Sequence, residues 1–333
     1  MASSPYLPPE IWITVLEYLP PSFFQEDIGR LTLSKNFYSL AFPVFFSQLE
    51  CTPRVLSRLV NRKSKAVGRA RDLLQKRAHG ITIALHGMGE DWATLYNTPS
   101  NLIRFCQYLE RFSSLRTLRF VASWPNRQWK GDPFRANYLP LRSIKPFLEN
   151  LTHITNLDLD LCGTSVTKEN GECEHLCPFI RPLLSRLHTI QLRAQSLCQA
   201  ALRPLEGQAV TLQRITVNLN LGDVSEDNTK LNATRRCHTL DLVKWASWSC
   251  PALVLCRQLR ALAARMPDRS QAQLIHISET GEVHRWDALT ESCEVDGRKK
   301  SLPFPRFRGD EVVRCYTMDD SFGWGWNPDL PHQ

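Results

Sequence analysis

"ITNLDLDLC", residues 154–162, alternates apolar and polar positions and then stops at a cysteine. A period of two is the signature of a strand with one face in the core and one face out. The phrase returns as "LQRITVNLN", residues 212–220, with the same order of apolar, two residues, apolar, one residue, apolar. "LRTLRF" (115–120) and "LHTIQL" (187–192) share it, and "ITIAL" (81–85) alternates in the same way. Five strands of one grammar are therefore expected between residues 81 and 220.

Amphipathic segments separate them: "NLIRFCQYLERF", "LRSIKPFLENL" and "CPFIRPLLSRL". Strands that alternate with helical stretches predict an α/β fold. The four units begin at 115, 154, 187 and 212, in steps of 39, 33 and 25 residues. Ile154, Leu157, Leu159 and Cys162 fit the leucine-rich-repeat pattern, as do Leu212, Ile215, Val217 and Asn220. The other two units end in Ser123 and Gln195. The expected body is an irregular leucine-rich-repeat-like α/β solenoid; an ordinary α/β sheet is the alternative. "CPALVLCRQLRALAARMP" (250–267) reads as a further helix, and "LIHISETGEVHRWDAL" as two strands around a turn at Glu279–Gly281. In the tail from Arg308, "EVVRCYTM" reads as one more strand.

The chain has 333 residues, enough for one or two domains that need no disulfide or metal to fold. Its 41 basic and 33 acidic residues leave a formal net charge of +8. That is mild for the length and does not demand nucleic acid. The opening MASSPYLPPE has neither a basic n-region nor an apolar h-region, so no signal peptide is expected. No apolar run approaches the length of a membrane span. Eleven scattered cysteines read as reduced thiols of a cytoplasmic or nuclear protein. The most basic stretch, residues 54–77, reads as a helix with a solvated cationic face. A phosphate-binding surface is the other reading, but the run lacks stacking aromatics.

No phosphate-binding, dinucleotide-binding, metalloprotease or serine-hydrolase motif occurs. His86–Glu90 reads as a turn. Cys162, Cys173, His175 and Cys177 are the best metal candidates, but no second ligand pair stands at zinc-finger spacing. His153, His188 and His238 lie in or beside apolar segments and read as packing or surface residues. No catalytic residue, cofactor or metal is expected.

The head of the chain is different. "LPPEIWITVLEYLPP" (7–21) is bracketed by prolines. Pro8 and Pro9 suit a helix start, and Pro20-Pro21 ends the helix. Helical spacing puts Ile11, Trp12, Val15, Leu16 and Leu19 on one broad face, with Tyr18 beside it. A second helical region runs through residues 26–49 and is interrupted by Pro43. Six phenylalanines lie within the first 46 residues. So much apolar surface on so few helices must be buried against the body or a partner.

This head resembles an F-box. That family's motif begins Leu-Pro-x-Glu-Ile/Leu, continues to Ile/Leu-Leu-x-x-Leu and often ends in Pro. Here it stands as Leu7-Pro8-Pro9-Glu10-Ile11, Val15-Leu16 and Leu19-Pro20. Its second part stands as Asp27-Ile28, Leu31, Leu33, Phe37 and Leu40. Leu33-Ser34 replaces the usual Val-Cys, and Phe37 a frequent Trp. The resemblance covers Leu7 to Phe46. "WDALT" (286–290) also resembles a late strand of some F-box proteins.

The resemblance implies a three-helix F-box bundle, residues 1–50, docked on the Skp adaptor and through it on a cullin scaffold. A basic helical linker, 51–78, and a substrate-recognition body, 79–333, would follow. The adaptor-binding set it implies is Leu7, Pro8, Ile11, Val15, Leu16, Leu19, Ile28, Leu31, Leu33 and Phe37. Leu7 and Pro8 lie outside the helix stripe and are the strongest contact candidates. The protein substrate is unidentified. Its candidate contacts are the outward strand positions Arg119, Asp158, Asp160, Gln191, Arg193, Thr216 and Asn218. The expected function is a non-catalytic substrate receptor of an SCF (Skp, cullin, F-box) ubiquitin ligase. A repeat scaffold without a ligase is the alternative, and neither membrane nor nucleic acid is an expected partner.

Overall fold

The computed structural model describes residues 7–19, 34–60, 72, 74–86, 92–123, 139–161, 164–165, 176–194, 197–219, 251–267, 270–277, 282–295 and 298–300. They form a mixed α/β fold with a mostly parallel sheet. The chain divides into two compact units: residues 1–85, 90–121 and 150–154 in the first, the remainder in the second.

The first unit opens with helix α1, Pro9–Glu17. Pro9 starts it at no cost, since a first-turn residue has no intrahelical N–H bond to lose. The Pro8 carbonyl accepts from Ile11 and Trp12 N–H. Helix α2, Lys35–Ser47, packs on α1. Its N-cap is Ser34, whose hydroxyl accepts from the Phe37 N–H at 3.0 Å. Pro43 lies inside α2 and does not interrupt it, contrary to expectation. The helix instead ends at Ser47. Gln48 and Leu49, expected to be helical, belong to strand β1, Gln48–Cys51.

β1 pairs in parallel with β2, Gly80–His86, in the register Leu49↔Ile81 and Cys51↔Ile83. β3, Thr117–Ser123, is the next neighbour of β2. Helix α3, Pro53–Val60, packs on helix α4, Trp92–Leu109. Leu56 of α3, Leu102 and Phe105 of α4, and Ile81, Ile83, Leu118 and Phe120 of the strands are all buried. Phe105 meets Phe112 edge to face, centroids 6.2 Å apart.

The second unit begins with the short pair β4, Leu139–Pro140, and β6, Thr164–Ser165, on either side of helix α5, Lys145–Glu149, and strand β5, Asn156–Asp160. Helix α6, Cys177–Ile180, precedes β7, Thr189–Arg193, and β8, Arg214–Asn218. Helix α7, Pro251–Ala263, then leads to β9, Gln271–Ile277. β5, β7, β8 and β9 are parallel neighbours in one register: Leu157↔Ile190↔Ile215↔Ala272. Parallel neighbours need crossovers, and the intervening short helices and 3-10 turns supply them. The sheet then turns antiparallel through β10, Val283–Asp287, β11, Ser292–Val295, and β12, Arg298–Lys300.

The strands expected at 81–85, 115–120, 154–162, 187–192 and 212–220 are thus β2, β3, β5, β7 and β8. In β5, β7 and β8 burial alternates strictly, with Leu157, Leu159, Ile190, Leu192, Ile215 and Val217 inside. Phe147, Ile180, Leu184, Leu202, Leu259 and Leu262 of the crossover segments are buried as well. One side of this sheet is therefore core, and the other carries the polar strand positions. The turn at 279–281, the middle of the basic stretch at 61–71, residues 87–90 and the "EVVRCYTM" segment lie outside the described residues.

Candidate functional site

Two surfaces gather the candidate residues. The first is α1. Helical geometry at 100° per residue separates its apolar side chains into two sets. Trp12, Leu16 and Leu19 face α2. Leu16 is only 2% exposed and forms a small core with Ala41, against which Leu19, Phe37, Leu40, Val44 and Phe45 pack. Trp12 meets Phe37 edge to face, centroids 6.1 Å apart and planes at 86°. The second set points away from α2. Leu7 is 43% exposed, Ile11 48%, Val15 44% and Tyr18 86%. Ile11, Val15 and Tyr18 recur at intervals of four and three residues, which makes one stripe of the helix, while Leu7 lies just before α1, ahead of the extended Pro8.

The broad face expected from periodicity is therefore two faces. Of the adaptor-binding candidates, Leu7, Pro8, Ile11 and Val15 are exposed, Leu16 is buried, and Leu19 and Phe37 are half-buried. Ile28, Leu31 and Leu33 lie outside the described residues. Tyr18 joins the exposed stripe by its place on the helix. Its position beside the apolar face was the signal for it in the sequence.

The second surface is the polar side of the second unit's sheet. Register sets its side chains in rows. Asp158, Gln191, Thr216 and Gln273 are successive partners, and Asp287 of β10 stands opposite Gln273. Asp160, Arg193, Asn218 and Ile275 form the next row, continued by Arg285 and Glu294. Gln191 is exposed, while Asp158, Asp160, Arg193, Thr216 and Asn218 are half-buried. Six of the seven substrate-contact candidates thus share one face. The seventh, Arg119, is exposed on β3 in the first unit.

The face is electrically self-compensated in part. Arg193 Nη1 donates to Asp160 Oδ2 at 3.2 Å, and Arg285 reaches Glu294 at 3.4 Å. Gln273, Arg285, Asp287 and Glu294 were not foreseen as part of this face. They come from β9 to β11, whose place in the sheet follows a long stretch of sequence after β8.

Among the described residues, these surfaces carry no activated nucleophile. Cys51, Cys106 and Cys293 are buried, and burial pushes the Cys106 and Cys293 thiols up to about 12 and the Cys51 thiol higher still. Of the four metal candidates only Cys177 is described; its sulfur accepts from the Cys198 N–H at 3.3 Å. Cys162, Cys173 and His175 lie outside the described residues. Among the described residues no helix is long and apolar enough to cross a membrane. In comparisons with known proteins, the chain matches no family model, no curated protein and no solved structure.

Proposed function

We propose that this protein is the substrate-recruiting receptor of an SCF-type ubiquitin ligase and is not itself catalytic. Helix α1 docks on a Skp-type adaptor, and the polar sheet face of the second unit engages a protein substrate. The irregular leucine-rich-repeat reading of the body belongs to the same proposal. The in-register parallel strands with short crossovers support it.

One observation carries the adaptor assignment: α1 packs one apolar side on α2 and keeps Ile11, Val15 and Tyr18 exposed on the other, with Leu7 exposed just before it. Large apolar side chains exposed in one stripe cost free energy in water and recover it in a partner's groove. The F-box-like phrase Leu7-Pro8-Pro9-Glu10-Ile11 leads into that stripe at Ile11. On the substrate side, a polar face with paired charges suits another protein's surface, where complementary charges set specificity.

The test is co-purification with a Skp-type adaptor. Wild type should bind. A Leu7→Ala/Pro8→Ala variant and an Ile11→Ala/Val15→Ala variant should each lose binding while keeping the wild-type melting profile. Well-folded wild type that fails to retain adaptor ends the proposal.

A further inference from the structure

The chain's net charge is concentrated in one segment. Residues 51–121 hold 13 basic and four acidic side chains, a net of +9, against +8 for the whole chain. The first unit gathers several of these cations at the end of its sheet where β2 and β3 begin. Lys76 and Arg77 close the helical residues 74–77, and the Lys76 carbonyl accepts from the Ser114 hydroxyl at 3.2 Å. Ser114 lies in the turn between Arg111 and Arg116. Its own carbonyl accepts from His79 Nδ1 at 3.2 Å. The His79 carbonyl in turn accepts from the Arg116 and Thr117 N–H groups. Arg116 Nη1 donates to the Ser113, Leu115 and His153 carbonyls. This network ties Lys76, His79, Arg116 and His153 together; Arg77 adjoins Lys76 in the chain, Arg111 stands three residues before Ser114, and all six are exposed.

The cations there are not used up by carboxylates. Asp72 and Glu110 are the acidic residues nearest in sequence, and neither pairs with Lys76, Arg77 or Arg111 among the described residues. Like charges held together by a backbone scaffold cost stability unless a counter-charge is supplied. Arg116 serves the scaffold, because its guanidinium is committed to three carbonyls. Lys76, Arg77 and Arg111 are the charges left to face outward.

We infer that this edge is a docking site for an acidic peptide segment of a partner protein. It uses none of the residues of the α1 stripe or the polar sheet face, and it does not depend on the adaptor reading. A peptide fits better than nucleic acid. The edge is one helical turn and one loop wide, and no exposed Phe, Tyr or Trp stands among its described residues to stack on a base. Carboxylates along an extended segment would meet three cations spaced over this short edge.

The experiment is fluorescence anisotropy on the full chain, with a labelled glutamate-rich peptide of about twelve residues and, in a second arm, duplex DNA of about twelve base pairs, both at about 50 mM salt. The proteins are wild type, a Lys76→Glu/Arg77→Glu/Arg111→Glu variant, and a charge-matched Arg54→Glu/Arg58→Glu/Arg104→Glu control, each first shown to melt as wild type. The peptide should bind wild type and weaken as salt rises. The edge variant should lose about tenfold or more, as three exposed ion pairs together would give, while the control stays within about twofold. No peptide binding at low salt, equal loss in both variants, or DNA binding tighter than the peptide through the same three residues would each overturn the assignment.

Discussion

Asp160 and Arg193 lie side by side in register on β5 and β7, 33 positions apart in sequence, and their side chains form an ion pair at 3.2 Å. The backbone joins the same neighbourhood, since the Arg193 carbonyl accepts from the Leu161 N–H at 2.7 Å. Both side chains are about four-fifths buried, at 19% and 23% exposure. A pair on a half-buried sheet face is less screened than one in open water. A double-mutant cycle of Asp160→Ala and Arg193→Ala, read by chemical denaturation, should give a coupling of about 0.2–1 kcal/mol. A coupling of zero would mean the pair is ornamental to the fold.

The two sides of α1 should separate in stability measurements. Leu16 fills the small core against Ala41, so Leu16→Ala should cost about 2–5 kcal/mol and disturb the head. Val15→Ala, on the exposed stripe, should cost within about 0.5 kcal/mol. Denaturant midpoints of the two variants check this directly. If Val15→Ala destabilises as much as Leu16→Ala, the stripe is internal packing and not a free face.

A similar contrast holds within β7 and β8. Ile215 is 1% exposed on the apolar side, whereas Gln191 is exposed on the polar side. Ile215→Val should cost about 0.5–1.5 kcal/mol by leaving a methyl-sized void. Gln191→Ala should lie within about 0.5 kcal/mol of wild type. Thermal melts of the two variants would expose any departure.

Thiol chemistry gives a pH test. Burial removes water from the Cys106 and Cys293 sulfurs and raises their pKa from 9.0 to about 12. For Cys293, the Glu294 carboxylate adds to this while a backbone hydrogen bond from Arg285 opposes it. Below pH 9 folded and unfolded states both hold the protons, so the full contribution is present. Between pH 9.0 and about 12 only the unfolded chain ionises these groups, so stability falls as pH rises. Denaturant midpoints should decline over that window, less steeply in a Cys106→Ala/Cys293→Ala variant. Iodoacetamide at about pH 8 should label neither residue until the protein is unfolded.

The turn after β10 tests the "WDALT" phrase. Asp287 Oδ1 accepts from the Leu289 and Thr290 N–H groups, both at 3.0 Å. This is how an aspartate closes a turn into β11. Asp287→Ala should cost about 1 kcal/mol, and Asp287→Asn clearly less, because the amide oxygen can still accept. Melting temperatures of the two variants separate the cap from a pure charge effect.

Much of the fold was legible because strands announce themselves locally. The alternation of Leu157 and Leu159 with Asn156, Asp158 and Asp160 needs only the pleat of one strand to be read. β1 was not legible: four residues, Gln48–Cys51, follow a helix without a break and are too few to show a period. Pro43 misled for a related reason. Its missing N–H removes one helical bond, yet packing of Phe37, Leu40, Val44 and Phe45 on Leu16 holds α2 together through it. β11 and β12 were missed because Ser292–Val295 and Arg298–Lys300 are short and carry few apolar side chains.

The sequence by itself determined which segments could be strands or helices, where α1 starts, and which residues alternate faces. Those depend on backbone sterics and on periods of two and 3.6, and neighbouring residues suffice to set them. Only the tertiary structure decided which apolar side of α1 is covered, that Asp160 meets Arg193, and that the Ser114 turn bonds to Lys76. Each of these depends on which distant segment lies alongside. That choice is made by the summed burial of many side chains across the core, and no local period encodes it.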